Sequence, residues 1–375
     1  MNWSDKDYQS MALALQLAKK GQYTARPNPM VGCVIVRDGQ IVGQGWHRKF
    51  GGAHAEVNAL QQAGDKAKGA TCYVTLEPCS HVGKTGPCAT ALIDSGVIKV
   101  IAAMQDPNPQ VCGKGFEHLK NAGVHTEFGL LEKQARQLNR GFVSRLQKNR
   151  PWLSLKLAMS LDGRTALADG SSKWITGSAA RLDVQKLRAR QDAIITGIGT
   201  LLTDNPSMTV RTDGQSDWFE GLESFQQPTR ILLDRNAKAS LEAQFFNRDA
   251  SVWWVALDSE TAQKTRLSPL SGPSDNSHIK RIQKQSLQEL IDFCAEQGMN
   301  NVLVEAGHKL AGQFIQQNLV DELIIYIAAK LMGNTGLGLL DLKVNKMIEC
   351  PELRLNSIHQ FGDDIRLIYT PVLNK

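Results

Sequence analysis

The residues His54-Ala55-Glu56, followed by Pro78-Cys79 and Pro87-Cys88, form the most informative pattern in this sequence. One imidazole and two thiolates are ligands that Zn²⁺ prefers, and three ligands leave a fourth tetrahedral position for a water molecule whose pKa the metal lowers. Glu56 lies two residues past His54, where a carboxylate can carry a proton. The pattern therefore predicts a catalytic zinc site.

This order of residues resembles the signature of the zinc deaminases, in which a glutamate moves protons to the leaving amine. The short form of that signature has two residues between the cysteines, whereas eight residues separate Cys79 from Cys88 here. The alternative is a closed zinc site that only stabilises the fold, with His81 as a fourth ligand. Because closed sites normally have four ligands in paired short spacings, we favour the open site and interpret His81 as a loop residue near the substrate.

Length and composition predict a two-domain protein of the cytoplasm. A chain of 375 residues exceeds what one hydrophobic core usually serves. No apolar run approaches the roughly 18 residues of a membrane span, and the first residues lack the pattern of a signal peptide. Seven cysteines at irregular spacing favour reduced thiols over a disulfide framework.

The net charge of +6 is concentrated in the first half of the chain. Residues 1–149 carry 18 Lys+Arg against 11 Asp+Glu, which gives +7. These charges are scattered singly, without an arginine-rich run or interleaved aromatic residues. A phosphorylated small molecule therefore fits this half better than a nucleic acid.

The first half alternates the signals of helices and strands. Ser4 and Asp7 resemble a capping box at the start of a helix, and two apolar runs, 30–36 and 41–46, meet at Asp38-Gly39 as in a hairpin. His54 and Cys88 then stand at the starts of two helices, whose dipoles favour the thiolate form of a cysteine. The remaining predicted elements are the helices 55–63, 88–96, 116–122 and 132–147 and the strands 71–76, 97–103 and 124–128.

Asn149-Arg150-Pro151 prevents the preceding helix from continuing and predicts a domain boundary. Alternating strand and helix signals beyond it predict a largely parallel sheet covered on both faces. Two polar insertions, 212–227 and 257–281, are predicted to be mobile surface loops. The predicted elements are the strands 153–159, 193–197, 230–233, 252–256, 301–305, 323–328 and 365–370 and the helices 178–189, 286–297 and 307–317.

Three glycine-containing segments could approach a phosphate. The segment 197–202 lacks the third glycine of a dinucleotide-binding fingerprint, so we reject that interpretation. Val304-Glu305-Ala306-Gly307 predicts a strand, a turn and a helix whose first amide groups could bind a phosphate. The loop 106–115 could do the same, or it could be a plain surface loop.

Several of these motifs together resemble the bifunctional pyrimidine deaminase/reductase family of riboflavin biosynthesis. The similarity extends over nearly the whole chain, with the motifs in the same order. In the first half it is carried by His54-Ala55-Glu56, Glu77-Pro78-Cys79-Ser80-His81 and Gly86-Pro87-Cys88. In the second half it is carried by 156–163, Trp174-Ile175-Thr176, Thr203-Asp204-Asn205-Pro206 and Val304-Glu305-Ala306-Gly307.

The resemblance implies an α/β protein with a cytidine-deaminase-like α/β/α domain, residues 1–148, followed by a dihydrofolate-reductase-like α/β domain, residues 151–375. It implies hydrolytic, zinc-dependent deamination of 2,5-diamino-6-ribosylamino-4(3H)-pyrimidinone 5′-phosphate. NADPH-dependent reduction of the ribosyl group to ribityl would follow. Zn²⁺ and NADPH are thus the implied cofactors, and the implied assembly is a homodimer or homotetramer.

The resemblance also implies site residues. In the deaminase half, zinc would be bound by His54, Cys79 and Cys88, Glu56 would be the catalytic proton carrier, and Asn28 would face the pyrimidine. The implied cofactor-binding residues of the reductase are Ala158, Trp174, Thr200, Asp204, Gly307, His308, Lys309, Leu310, Ala311, Gly312 and Gln313. The implied substrate-binding residues of the reductase are Ser172, Arg188, Met208, Arg211 and Glu305.

The side-chain chemistry of four of these reductase residues is consistent with their implied roles. Arg188 and Arg211 could bind the ribosyl phosphate through paired hydrogen bonds, and Asp204 or Glu305 could assist protonation of the opening sugar. Two other interpretations stay open. The protein could be a nucleic-acid or nucleobase deaminase with an accessory α/β domain, or a zinc-stabilised binding module without turnover.

Overall fold

The computed structural model describes residues 3–80, 86–211, 225–257 and 276–372. The chain forms two compact units: the first includes the chain up to Asn149 together with Phe225, and the second begins at Arg150. His81 and most of the two predicted insertions, 212–227 and 257–281, lie outside the described residues. Within the described residues, no helix has the length and apolar character that spanning a bilayer requires.

The first unit is built around a five-stranded sheet with helices on both faces. Its strand order is β2-β1-β3-β4-β5, in which β1 pairs antiparallel with β2 and β3, and β3, β4 and β5 run parallel. The strands are β1 (Gly32–Arg37), β2 (Gln40–Trp46), β3 (Thr71–Val74), β4 (Lys99–Ala102) and β5 (His125–Phe128). The helices are α1 (Asp5–Lys19), α2 (Ala55–Ala63), α3 (Cys88–Asp94), α4 (Lys114–Asn121), α5 (Glu132–Leu138) and α6 (Arg140–Lys148).

Local sequence signals explain most of these element boundaries. The Ser4 and Asp7 side chains form the predicted capping box at the start of α1. The β1–β2 turn places Asp38 at φ 50° and Gly39 at φ 74°, the left-handed backbone that a two-residue hairpin turn requires. Gly32 lets β1 approach the backbone of α1, because a Cβ there would collide with the Ala14 carbonyl.

The single helix predicted over 132–147 is two helices, α5 and α6, separated at Asn139. Asn139 leaves the helical backbone, at φ −108° and ψ 30°, and its side chain is buried. Its Oδ1 accepts a hydrogen bond from the Met30 amide at 2.8 Å, and its Nδ2 donates to the Met30 carbonyl at 2.8 Å. A tertiary contact, which helical periodicity does not reveal, thus separates the two helices.

The second unit contains a nine-stranded sheet of order β11-β10-β9-β8-β12-β6-β13-β16-β15. The first seven strands of this order, from β11 across the sheet to β13, run parallel to one another. The last two, β16 and β15, pair antiparallel and form one edge of the sheet. The strands are β6 (Trp152–Ser160), β8 (Ala193–Gly197), β9 (Thr229–Leu233), β10 (Val252–Leu257), β11 (Ile279–Lys284), β12 (Asn301–Glu305), β13 (Glu322–Ala328), β15 (Glu352–Phe361) and β16 (Asp364–Val372). The helices are α7 (Ser178–Ala189), α8 (Ile198–Asp204), α9 (Leu287–Glu296) and α10 (His308–Gln316), and β7 (Arg164–Ala166) pairs with β14 (Leu337–Gly338).

Both faces of the large sheet are covered, as the sequence predicted. Ile195 points to the side packed by α9 and α10, while its neighbour Ile194 points to the side packed by α8. The sequence did not reveal α8, β7, β11, β14 or β15. Nearly every residue of β15 is exposed, so this strand lacks the pattern of alternating burial from which strands are predicted.

We predict that Asn139→Ala destabilises the first unit. The substitution removes both hydrogen bonds to the partly buried backbone N–H and C=O of Met30, at a cost of about 2 kcal/mol. Hydrogen exchange of peptides from residues 3–149, followed by mass spectrometry, measures the effect within this unit. Gln137→Ala, an exposed change in α5, is the control; equal exchange in the two variants would contradict the prediction.

Candidate active sites

The three predicted metal ligands meet beside the carboxyl end of β3. His54 is the residue immediately before α2, and Cys88 is the first residue of α3. Cys79 follows β3 in the loop begun by Thr75, and Pro78 precedes it. Two helix N-termini and one strand end therefore bring together residues that are far apart in sequence.

The geometry of these ligands fits a zinc ion. The His54 Nδ1, Cys79 Sγ and Cys88 Sγ atoms lie within 4.8 Å of one another. His54 Nδ1 is 3.2 Å from the Cys88 sulfur and 3.6 Å from the Cys79 sulfur. A tetrahedral zinc with ordinary bond lengths requires a nitrogen-to-sulfur distance of roughly 3.6 Å. These three residues can therefore bind the ion that the sequence predicts.

The local electrostatics favour the thiolate that a metal needs. The Cys88 backbone N–H donates to the Cys79 sulfur at 3.3 Å. The Cys88 thiol and the His54 ring also face that sulfur, and together they lower the pKa of Cys79 to about 4. The same contact raises the pKa of Cys88, because Cys79 is the partner that carries the negative charge. A bound cation would remove this difference between the pKa values of Cys79 and Cys88, since a thiol that coordinates a metal loses its proton.

Glu56 lies in the first turn of α2 and is only 3% exposed. This burial raises the pKa of the Glu56 carboxyl to about 7. A carboxyl with such a pKa can both accept and donate a proton near neutral pH. Its position beside the metal ligands and its pKa agree with the role of proton carrier that the sequence predicts.

Asn28 is held in place by a histidine that the sequence analysis did not select. The Ala53 carbonyl is 3.1 Å from His47 Nδ1, so this nitrogen carries the ring proton and Nε2 accepts from Asn28 Nδ2 at 3.1 Å. Burial lowers the pKa of His47, which keeps the ring neutral. With its Nδ2 bound to His47, Asn28 can offer Oδ1 to a ligand.

These groups line a cavity of about 500 Å³. Four predicted residues, Asn28, His54, Glu56 and Cys79, line it, whereas Cys88 is fully buried. The loop 106–115 also reaches this cavity; from the sequence it could be either a phosphate-binding loop or a plain surface loop. The lining residues that the prediction missed include His47, Glu77, Asp106, Asn108, Phe142 and Arg145.

The second unit contains a cavity of about 830 Å³ at the carboxyl ends of its parallel strands. This edge is where α/β sheets commonly bind ligands. Gly197, Leu233 and Leu257 end three of the strands that border the cavity. The predicted residues that line it are Ala158, Ser172, Arg188, Thr200, Asp204, Met208, Glu305, Gly307, His308, Lys309, Leu310 and Gln313.

Glu305 and Arg188 form a buried ion pair in this cavity. Arg188 Nε donates to Glu305 Oε1 at 2.6 Å, and Nη2 donates to Oε2 at 3.0 Å. The Lys156 amino group is 3.5 Å from Oε2. Burial alone would raise the pKa of Glu305, but Arg188 and Lys156 outweigh it and lower the pKa to about 2. Glu305 is therefore a permanent anion in this arrangement.

Four predicted reductase residues do not line the cavity: Trp174, Arg211, Ala311 and Gly312. Ala311 is fully buried in the core, and a Cβ on Gly312 would collide with the Asp341 backbone. Trp174 is 63% exposed and has a φ of 66°, an uncommon backbone for a bulky residue. Lys330 donates to its carbonyl at 2.6 Å, and Arg181 lies 4.4 Å from its ring centre. Roles for these four residues stay predictions.

The described geometry also fits a nicotinamide dinucleotide. Gly307 precedes α10, and the first-turn residues His308, Lys309 and Leu310 line the cavity, where the sequence predicts a phosphate site. The segment 197–200, which fails as a dinucleotide fingerprint, nevertheless lines the cavity beside it. The prediction missed Lys156, although this residue begins the quoted motif 156–163, and it missed Asp234 and Arg235 after β9.

Comparison with known proteins yields a family match in each half. Residues 4–104 match the family described as the cytidine and deoxycytidylate deaminase zinc-binding region. Residues 151–367 match the RibD C-terminal domain. Together the two matches include the three metal ligands, Glu56, Asn28 and every predicted reductase residue.

Similar proteins match over almost the full length. The riboflavin biosynthesis protein RibD of Haemophilus influenzae is 47% identical, over 99% of this chain and 99% of the relative. RibD of Escherichia coli is 44% identical, over 96% of this chain and 98% of the relative.

Two solved structures have the same fold as this chain. RibD of Acinetobacter baumannii has a TM-score of 0.88 at 42% identity, covering 98% of this chain and 99% of that one. A diaminohydroxyphosphoribosylaminopyrimidine deaminase/5-amino-6-(5-phosphoribosylamino)uracil reductase of Thermotoga maritima has a TM-score of 0.85 at 32% identity. It covers 98% of this chain and 99% of its own.

We predict that Cys88→Ala reduces bound zinc from a stoichiometric amount to almost none. The variant retains only two of three ligands and loses the thiolate at the start of α3. Metal analysis after dialysis against zinc-free buffer measures the change. Cys112→Ala is the matched control, because Cys112 is exposed and outside the cluster. Full zinc occupancy in Cys88→Ala would contradict the ligand assignment.

Proposed function

The chain belongs to the RibD family of bifunctional riboflavin-biosynthesis enzymes, and we propose how its residues divide the two reactions. It is a zinc-dependent deaminase and an NADPH-dependent reductase. The first reaction hydrolyses an amino group from 2,5-diamino-6-ribosylamino-4(3H)-pyrimidinone 5′-phosphate. The second reduces the ribosyl group of the product to ribityl.

The observation that supports the assignment best is the combination of two chemically different cavities in one chain. The first has a buried carboxyl with a pKa of about 7 beside three zinc-binding atoms. The second has a fixed anion, two cations and a glycine turn at a sheet edge. We assign deamination to residues 1–148 and reduction to residues 151–375.

In the deaminase site, His54, Cys79 and Cys88 would hold the metal. Zinc, when bound, lowers the pKa of a water molecule so that it can act as a nucleophile near neutral pH. Glu56 would take the proton from this water on a carboxylate oxygen and return it to the departing amine, which leaves as ammonia. Asn28, fixed by His47, would hold the pyrimidine through its Oδ1.

In the reductase site, NADPH supplies the hydride that reduces the sugar. We propose that Glu305 remains ionised and that the Lys156 ammonium beside it faces the opening ribose. The ion pair with Glu305 occupies two of the three guanidinium nitrogens of Arg188. Arg188 would therefore orient Glu305 within the cavity, and Arg211, which does not line it, stays a predicted partner of the ribosyl phosphate.

We favour a small phosphorylated pyrimidine over a polynucleotide as the partner. The first cavity, at about 500 Å³, is within the size range of small-molecule sites. We further propose that the protein acts in the reducing cytoplasm. Its seven cysteines are free thiols, and two of them must stay reduced to bind zinc.

We also propose that the protein forms a homodimer through β15, an edge strand of the large sheet. Leu355 and Ile358 are 46% and 59% exposed on this strand. A long edge strand with exposed apolar side chains is a surface that proteins usually cover. A second copy of the same strand would cover it with twofold symmetry.

The zinc-loaded protein should release ammonia from the diaminopyrimidine substrate without NADPH. It should then oxidise NADPH only in the presence of the deaminated product. Glu56→Gln should reduce ammonia release by at least about 10³-fold, because the amide cannot carry the proton. Its zinc content and its NADPH oxidation with the deaminated product should equal those of the unchanged protein.

Ammonia release and NADPH absorbance are measured separately in this experiment. Loss of both activities in Glu56→Gln would contradict the assignment of two independent sites. Ammonia release from single-stranded nucleic acid but not from the pyrimidine phosphate would favour the nucleic-acid deaminase instead. Absence of turnover with zinc bound would favour the binding module.

Ile358→Glu should convert the proposed dimer into a monomer, because a carboxylate on each copy would lose its hydration at the shared surface. Light scattering coupled to size-exclusion chromatography measures the mass of the particle. Leu241→Glu is the control, since it places the same charge at an apolar side chain 41% exposed and outside the strand. An unchanged mass for Ile358→Glu would refute this interface.

A further inference from the structure

Glu77 is a buried carboxylate that serves neither as a metal ligand nor as a proton carrier. It is 4% exposed and stands two residues before Cys79. Its Oε2 accepts from the backbone amides of Asp106 and Gly113, each at 3.0 Å. Its Oε1 accepts from the Gly115 amide at 2.9 Å. One side chain thus binds three backbone N–H groups of a single distant segment.

This segment, 106–115, lies between β4 and α4, includes the first two residues of α4, and forms one side of the deaminase cavity. Asp106, Asn108 and Val111 line that cavity. Within the segment, Asp106 Oδ1 accepts from the Asn108 amide at 2.8 Å, and Asn108 Oδ1 accepts from the Gln110 amide at 3.0 Å. These local hydrogen bonds give the segment its shape, and the hydrogen bonds to Glu77 fix where it lies.

The start of α4 is packed directly against the residues around Cys79. A Cβ on Gly115 would collide with the Pro78 carbonyl and lie 3.2 Å from the Glu77 side chain. Only glycine therefore allows the Gly115 amide to reach Glu77. The carboxylate also sits at the N-terminus of α4, where a negative charge is favourable.

We infer that Glu77 is a positioning residue that fixes the segment 106–115 as the substrate-binding wall of the deaminase cavity. This inference rests on the proposed deaminase function. Both oxygens of Glu77 accept hydrogen bonds from backbone amides of the segment, so we assign it an effect on the substrate through the segment. It should control the KM of the pyrimidine phosphate more than the kcat of deamination, because neither the zinc ligands nor Glu56 belong to the segment 106–115.

Glu77→Gln tests the inference with almost no change in size. A carboxylate can accept all three hydrogen bonds, whereas an amide has one accepting oxygen and turns an NH₂ group towards an N–H donor. We expect KM for ammonia release to rise by about 10-fold, with kcat changed less than about twofold. Zinc content and NADPH oxidation with the deaminated product should not change.

Gly115→Ala is the second variant, because it should move the same segment while leaving the carboxylate intact. It should raise KM in the same way. Glu117→Gln, an exposed change on α4, should leave KM unchanged and serves as the matched control.

The outcomes separate this inference from the function on which it rests. An unchanged KM in both Glu77→Gln and Gly115→Ala would overturn the inference, as would a loss of zinc with lower kcat and unchanged KM. If Glu77→Gln does not fold, the KM of Gly115→Ala decides alone. Absence of ammonia release by the unsubstituted protein would instead count against the proposed deaminase function.

Discussion

The contact between the Cys88 amide and the Cys79 sulfur is the constraint on which the first unit depends. It joins the start of α3 to the loop that follows β3, and His54 meets the same two sulfurs from the start of α2. Three backbone elements must converge within a few ångströms for these contacts to form. Because the thiolate and the helix N-termini have opposite charge, the convergence is favourable even before a metal binds.

Most of the fold follows from local sequence signals, and each exception has its own physical cause. The capping box of Ser4 and the hairpin turn at Asp38-Gly39 are both specified by neighbouring residues. The break at Asn139 and the exposed strand β15 are not. The first depends on hydrogen bonds to Met30, 109 residues away, and the second has no buried face to give it a pattern.

The residues of the two candidate sites likewise divide into those that the sequence identified and those that it did not. The sequence identified the zinc ligands because metal chemistry restricts residue type and spacing at once. It did not identify His47 or Glu77, whose partners are the Asn28 side chain and backbone amides of a distant segment. It also suggested Arg188 as a phosphate ligand, which stays a prediction, and the described geometry adds an ion pair between its guanidinium and Glu305. Residue type alone cannot distinguish an arginine that binds a substrate from one that orients a carboxylate.

The two buried glutamates show how one residue type acquires opposite properties. Glu56 and Glu305 are 3% and 7% exposed, so burial favours the neutral form of both. No described salt bridge involves Glu56, and its pKa rises to about 7, which suits a group that must gain and lose a proton. Arg188 and Lys156 hold the pKa of Glu305 at about 2, which suits a fixed charge that orients its neighbours. Because the two are similarly buried, the presence of cations beside Glu305 and the absence of any described salt bridge to Glu56 determine which glutamate can transfer a proton.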